Sequence, residues 1–142
     1  MTDRPRAVFV DSNILVYAHD KAAGAKGDRA RQKLTQLWNR DFPSCLSVQV
    51  LQETYVNLVR KGVPASEARD AVKDYLVWQV IVNDRELLLE GMDEQERWKV
   101  SYWDGLILAA ARCARAEVIW SEDFNTGQSY GGIRVVNPLL SS

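Results

Sequence analysis

A chain of 142 residues with 46% hydrophobic and 26% charged content has the balance of one globular domain, and on general scaling it buries about two thirds of its unfolded surface without needing staples. A formal net charge of −1 excludes a protein that holds nucleic acid by bulk positive charge, so any such contact must be local. No signal-peptide run opens the sequence and Asp104 interrupts its most apolar stretch, which argues against export and membrane spanning and makes the cytoplasm the expected location.

Ala7 to Val10 is an apolar run ended by Asp11-Ser12-Asn13, residues that cap a short helix over Ile14 to Ala18. Gly24 to Gly27 reads as a loop, and Asp28 to Asn39 as a helix with Ala30, Leu34, Leu37 and Trp38 at helical spacing. Ser44 to Leu46 is a second strand, and Ser47 caps a helix that stops at Gly62. Ser66 to Val77 forms the next helix and Val80 to Val82 the third strand. Asp84 caps a helix running toward Trp98, and Ser101 to Arg115 follows as a helix whose Gly105 and alanines permit close approach to a sheet. Glu117 to Trp120 is strand four, Phe124 to Gly132 a loop, and Ile133 to Val136 strand five. Apolar strands separated by helices predict an α/β, doubly wound domain with a central parallel sheet of about five strands, a single unit over 1–142 with flexible ends at 1–6 and 141–142. Cys45 and Cys113 lack any paired or zinc spacing and read as buried thiols.

Four acids fall at one edge of such a sheet, the carboxyl ends of the strands where ligands bind. Asp11 follows strand one, Asp123 follows strand four, and Asp104 begins a helix that must start at the same edge. Glu53 lies about two turns into its helix, on a polar side with Asn57 and Arg60 and opposite Val48, Leu51, Tyr55 and Val59. Two carboxylates about 5 Å apart repel by roughly 3 kcal/mol at an effective dielectric near 20, so such a cluster calls for a divalent cation. A carboxylate-lined cation with room for water and phosphate suits phosphodiester cleavage. Each acid also has an ordinary role: Asp11 as a helix cap, Asp104 in a capping box with Ser101, Glu53 in solvent, Asp123 in a turn. Convergence raises the functional reading. Ser12, Asn13 and Ser121 supply groups that hydrogen-bond a carboxylate or phosphate. His19 reads as a surface or partly packed residue, and Trp103 as packing with stacking on a base as the alternative. The basic residues Lys21, Lys26, Arg29, Arg31 and Lys33, and the pair Arg60-Lys61, read as solvated faces or as local contacts for nucleic acid.

Val10-Asp11-Ser12-Asn13-Ile14-Leu15, the segment Ser47 to Glu53, Tyr102-Trp103-Asp104-Gly105-Leu106-Ile107 and Ser121-Glu122-Asp123-Phe124 together resemble the PIN-domain ribonucleases, above all the toxin half of VapBC toxin–antitoxin pairs. The resemblance runs from about Val8 to Pro138. It assigns the catalytic acids to Asp11, Glu53, Asp104 and Asp123, with Asp11, Asp104 and Asp123 as metal ligands, Ser121 as the hydroxyl of the fourth motif, and Glu122 as an extra acid. It implies Mg²⁺ or Mn²⁺, single-stranded RNA such as tRNA or rRNA as substrate, a homodimer, and a small antitoxin that covers the site. The expected dimer surface is that of Tyr75, Val77 and Trp78. The alternative is a catalytically idle PIN-like module that binds RNA or serves assembly. A haloacid-dehalogenase-type phosphotransferase is disfavoured by Asn13, where a second Asp is wanted, and a receiver domain by the lack of an acidic pair at the end of strand one.

Overall fold

The computed structural model describes residues 7–140; the chain ends expected to be flexible lie outside them. Its centre is a row of short strands: β1 (Val8–Val10), β2 (Cys45–Ser47), β3 (Gln79–Ile81), β4 (Val118–Trp120), β5 (Ser129–Tyr130) and β6 (Ile133–Val136). They form one sheet in the order β3-β2-β1-β4-β6-β5. All neighbours run parallel except β5 against β6. The five expected strands are thus joined by a sixth, a two-residue return inside the segment read as loop. Among the described residues six helices flank the sheet: α1 (Ser12–His19), α2 (Gly24–Trp38), α3 (Val48–Arg60), α4 (Ala65–Tyr75), α5 (Arg85–Trp98) and α6 (Tyr102–Cys113).

The strands carry apolar residues on both faces because both are covered. Cys45, Phe9, Ile119 and Val135 stand side by side across β2, β1, β4 and β6, and all four are buried. Burying a side chain of this kind contributes about 1.5–3 kcal/mol relative to exposure, so this row anchors the registry of the central strands. The chain leaves β1 toward β2 and β3 on one side and returns to β4 and β6 on the other. The order therefore reverses between β1 and β4, and the crevice beyond their carboxyl ends is where such sheets bind ligands.

Several local expectations change once packing is seen. The segment Gly24 to Gly27 is the first turn of α2, not a loop. Gly27 is buried against α1, where a Cβ would meet the Tyr17 carbonyl oxygen at 3.0 Å. On α3 the buried face is Val50, Leu51, Thr54 and Leu58, whereas Tyr55 and Val59 are on the exposed side with Val56. Cys45 is buried but Cys113 is exposed. Tyr75 and Trp78, expected at a dimer surface, pack inside the chain against each other and against Trp38; Leu76 and Val77 remain exposed.

The close approach expected of Gly105 is made to α5 rather than to the sheet. A Cβ there would lie 2.5 Å from the Gly91 carbonyl oxygen and 2.9 Å from the Gln95 nitrogen. Lys99 closes α5 in the left-handed region at φ 56, and Ser101 caps α6 by accepting from the Asp104 N–H. Buried Glu94 on α5 accepts from the Arg112 guanidinium on α6 at 2.6 and 3.0 Å and from the Trp98 indole at 2.8 Å. Arg112 also donates to the Tyr130 and Gly131 carbonyls. One ion pair thus ties both helices to the β5–β6 turn. Among the described residues no helix is long and apolar enough to cross a membrane.

Candidate functional site

Parallel pairing of Val10 with Trp120 brings the residues that follow β1 and β4 together. Asp11 donates its N–H to the Trp120 carbonyl at 2.9 Å, which carries the strand pairing one residue past β1 and fixes the Asp11 backbone. Its carboxylate is buried. One oxygen accepts from the Ser12 N–H at 2.8 Å, as an N-cap of α1 does, and the other accepts from the Ser121 hydroxyl at 2.8 Å. The capping role and the site role of Asp11 are therefore the same geometry.

Asn13 organises the opposite wall. Its amide donates to Asp123 at 3.1 Å and to the Ser121 hydroxyl at 3.4 Å, while its carbonyl accepts from the Glu122 N–H at 3.1 Å. The Ser121 hydroxyl also accepts the Asp123 N–H at 3.1 Å. Glu53 is half-buried on α3 and receives a long hydrogen bond of 3.5 Å from the Ser12 hydroxyl; it is not simply solvated. Asp104 is half-buried in the first turn of α6.

The electrostatics show that the four acids share one field. Burial pushes the Asp11 carboxyl up to about 7, with the charges of Glu53 and Asp123 adding to the rise and the Ser121 and Ser12 hydrogen bonds opposing it. Glu53 is raised by burial and then by the charges of Asp123 and Asp104. Asp104 is raised by burial and then by the charge of Asp123, while a Ser101 hydrogen bond opposes the rise. The acids do not close into a ready-made cage: among the described residues no three carboxylate, imidazole or thiol groups have that spacing. Open spacing keeps like charges apart and leaves room for water and a phosphate. The available donors are carboxylates with the Ser12 and Ser121 hydroxyls, an all-oxygen set that fits a hard divalent cation such as Mg²⁺ or Mn²⁺.

Glu122 is turned to other work than an extra acid would have. It accepts from Lys26 and from the Tyr17 hydroxyl, both at 2.7 Å, and that neutralisation lowers its pKa against the opposing effect of burial. His19 stands at the other end of α1 with its Nε2 2.8 Å from the Tyr75 hydroxyl, and burial lowers its pKa. Trp103 is 63% exposed beside Asp104, contrary to the expectation of packing.

Val16 and Tyr17, which sequence reasoning did not single out, line the same crevice, and so does Lys61 of the basic pair Arg60-Lys61. A groove of about 260 Å³ is bordered by Ser12, Asn13, Val16 and Tyr17 of α1, by Glu53, Asn57 and Lys61 of α3 and its cap, and by Asp123. Glu53, Asn57 and Lys61 recur at i, i+4 and i+8, one row along a helix.

The fold has counterparts among solved structures. VapC20 of Mycobacterium tuberculosis, described as a sarcin–ricin-loop-cleaving toxin, superposes with a TM-score of 0.68 at 20% identity, over 82% of this chain and 90% of its own. A toxin–antitoxin complex from Klebsiella pneumoniae contains a chain that superposes with a TM-score of 0.69 at 19% identity, over 93% of this chain and 97% of its own. No curated protein matches the sequence at a significant level. Identities this low establish the shared fold, but the family model of the PIN domain matches residues 8–127 directly. That span holds all four acids and the strands and helices that position them, and the chain belongs to the PIN-domain family.

Proposed function

We propose that this protein is a divalent-cation-dependent endoribonuclease that cuts single-stranded regions of RNA, and that it is the toxin of a VapBC-type pair, neutralised by a small antitoxin. The observation that carries the reading is the convergence of Asp11, Glu53, Asp104 and Asp123 on one crevice, where burial pushes the Asp11 carboxyl up to about 7 and the charges of Glu53 and Asp123 add to the rise, and where burial and neighbouring acids raise Glu53 and Asp104. Carboxyls perturbed by burial and by one another cluster at functional sites. Membership of the PIN family and the likeness to toxin structures support the same reading. The description of one neighbour as cleaving the sarcin–ricin loop makes structured RNA such as rRNA or tRNA the first substrates to test. The cytoplasm is the location proposed with this reading.

Asp11, Asp104 and Asp123 are the residues that would hold Mg²⁺ or Mn²⁺, with Glu53 completing the acidic wall. When bound, the cation supplies charge neutralisation and a more acidic water for attack at phosphorus. Ser121 and the Ser12 N–H hold both Asp11 oxygens in place, so this ligand needs no reordering. Asn13 orients Asp123, and Ser12 steadies Glu53. Glu53, facing the groove, takes the proton from the water that attacks phosphorus as the bond to the leaving oxygen breaks, and solvent protonates that oxygen.

The test is cleavage of purified RNA with Mg²⁺ or Mn²⁺. Activity should fall by at least tenfold to a hundredfold in Asp11→Asn and Asp104→Asn, because each substitution removes a charged ligand. Full activity in excess EDTA would overturn the proposal. No cleavage under any cation, with RNA binding retained, would favour the idle module. Expression of the unsubstituted chain without an antitoxin should slow growth, and expression of Asp11→Asn should not.

A further inference from the structure

The groove beside the acids has a polarity that water activation does not require. Its near end carries Glu53 and Asp123, its middle Asn57 and Tyr17, and its far end the ammonium of Lys61. Along α3 the eight residues from Glu53 to Lys61 rise about 12 Å, so Lys61 stands well past any phosphorus held against the acids. Its carboxylate neighbour, Asp20, is 3.9 Å away. Asp20 is mostly buried and also accepts the Ala22 N–H, whereas the Lys61 side chain is half-exposed; 3.9 Å is the long limit of an ion pair, so the Lys61 ammonium is free to turn to another anion. The other lysine near the site differs. Lys26 is drawn to Glu122 at 2.7 Å and lies against the Tyr17 ring, which buttresses the groove wall. The volume of about 260 Å³ lies below the range of about 300–1,000 Å³ usual for drug-sized ligands; it suits a sugar-phosphate unit rather than a whole small molecule.

We propose that the α1–α3 groove is the subsite for the RNA backbone beyond the scissile bond, with Lys61 holding the phosphate of a neighbouring nucleotide and Asn57 hydrogen-bonding the same segment. This rests on the ribonuclease reading and adds the direction in which the strand leaves the acids: along α3 toward its carboxyl end. It also explains how a chain of net charge −1 holds a polyanion. A cation is placed at a spacing where it grips the substrate without neutralising the acids that must hold metal. Lys61 is a binding residue here, not a catalytic one.

The experiment measures binding of a short labelled single-stranded RNA by fluorescence anisotropy over a range of salt concentrations, in Mg²⁺, using the Asp11→Asn protein so that the RNA stays intact. Adding Lys61→Ala should weaken binding several-fold and lower the slope of log K against log salt by about 0.7, the value for one phosphate contact on a single strand. Asp20→Asn in the same background breaks the same ion pair but keeps the cation, and should leave the slope unchanged. An unchanged slope in Lys61→Ala, an equal loss in Asp20→Asn, or no binding even at low salt overturns the inference. Cleavage by the unsubstituted protein is measured alongside. Cleavage with an unchanged slope sinks the groove and spares the ribonuclease reading; a slope change without cleavage does the reverse.

Discussion

Asp11 concentrates the conflict of this molecule in one side chain. Its carboxyl is pushed up to about 7 in the folded state against 3.8 ordinarily, so between those values the folded protein keeps a proton that the unfolded chain has lost. Metal-free stability should therefore fall as pH climbs from about 4 to about 7, and level off above. Glu53 and Asp104, both raised, act in the same direction. Each unit of difference is worth about 1.4 kcal/mol. In EDTA the Asp11→Asn protein should melt several degrees above the unsubstituted one near pH 7.5, and the gap should close toward pH 4. A gap independent of pH would show that the substitution acts through packing instead. Asp104→Asn should behave likewise. The Ser101 hydroxyl accepts from the main-chain N–H of residue 104, so the helix cap survives the change. Binding of Mg²⁺ or Mn²⁺ at a hundredfold over its dissociation constant adds about 2.7 kcal/mol to the folded state; both variants should gain less. The four acids were legible as a set because strand ends and helix starts could be placed from apolar runs. That Glu122 pairs with Lys26 was not, since the two are far apart in the chain.

At the scale of elements, the crossing of α5 and α6 decides where Asp104 stands. Gly105 touches the α5 backbone, so Gly105→Ala forces main chain apart, and overpacking of this kind costs about 1–3 kcal/mol. Gly91→Ala is the control. Its Cβ would meet chiefly the flexible Leu106 Cδ1 at 3.0 Å and the Tyr102 ring at 3.3 Å, and the helix gains up to about 1 kcal/mol of propensity. Thermal melts should rank Gly105→Ala below Gly91→Ala by several degrees, and RNA cleavage should fall more in the first, because Asp104 moves with the helix. Equal melting temperatures would show that the crossing tolerates a methyl group. The caps at Ser47, Asp84 and Ser101 were readable because a cap is local. The angle between α5 and α6 was not, because it depends on two glycines meeting across fourteen residues of chain. The buried face of α3 was misjudged for a related reason. Two apolar stripes run along that helix, and only the neighbours α1, α4 and β2 select Val50, Leu51, Thr54 and Leu58 over Tyr55 and Val59.

For the whole molecule, the apolar surface open to a second copy keeps only Val77 of the three residues that the sequence suggested. Tyr75 and Trp78 are occupied inside the chain, while Leu76, Val77 and the Tyr55, Val56 and Val59 stripe of α3 stay exposed. We propose that the homodimer implied by the family resemblance forms through these exposed residues. Light scattering at micromolar concentration should give twice the chain mass, and Val56→Glu with Val77→Glu should return it to one; a monomer in the unsubstituted protein would remove the proposal. Periodicity and punctuation alone determined the alternation of strands and helices, the parallel sheet and the edge that gathers Asp11, Asp104 and Asp123, because these follow from which residues alternate and where a helix is capped. Only the tertiary structure decided the reversal of strand order between β1 and β4, the groove that runs from Glu53 to Lys61, and the burial that lifts the Asp11 carboxyl. Strand order, groove walls and desolvation are set by segments distant in sequence that meet only once the core has closed.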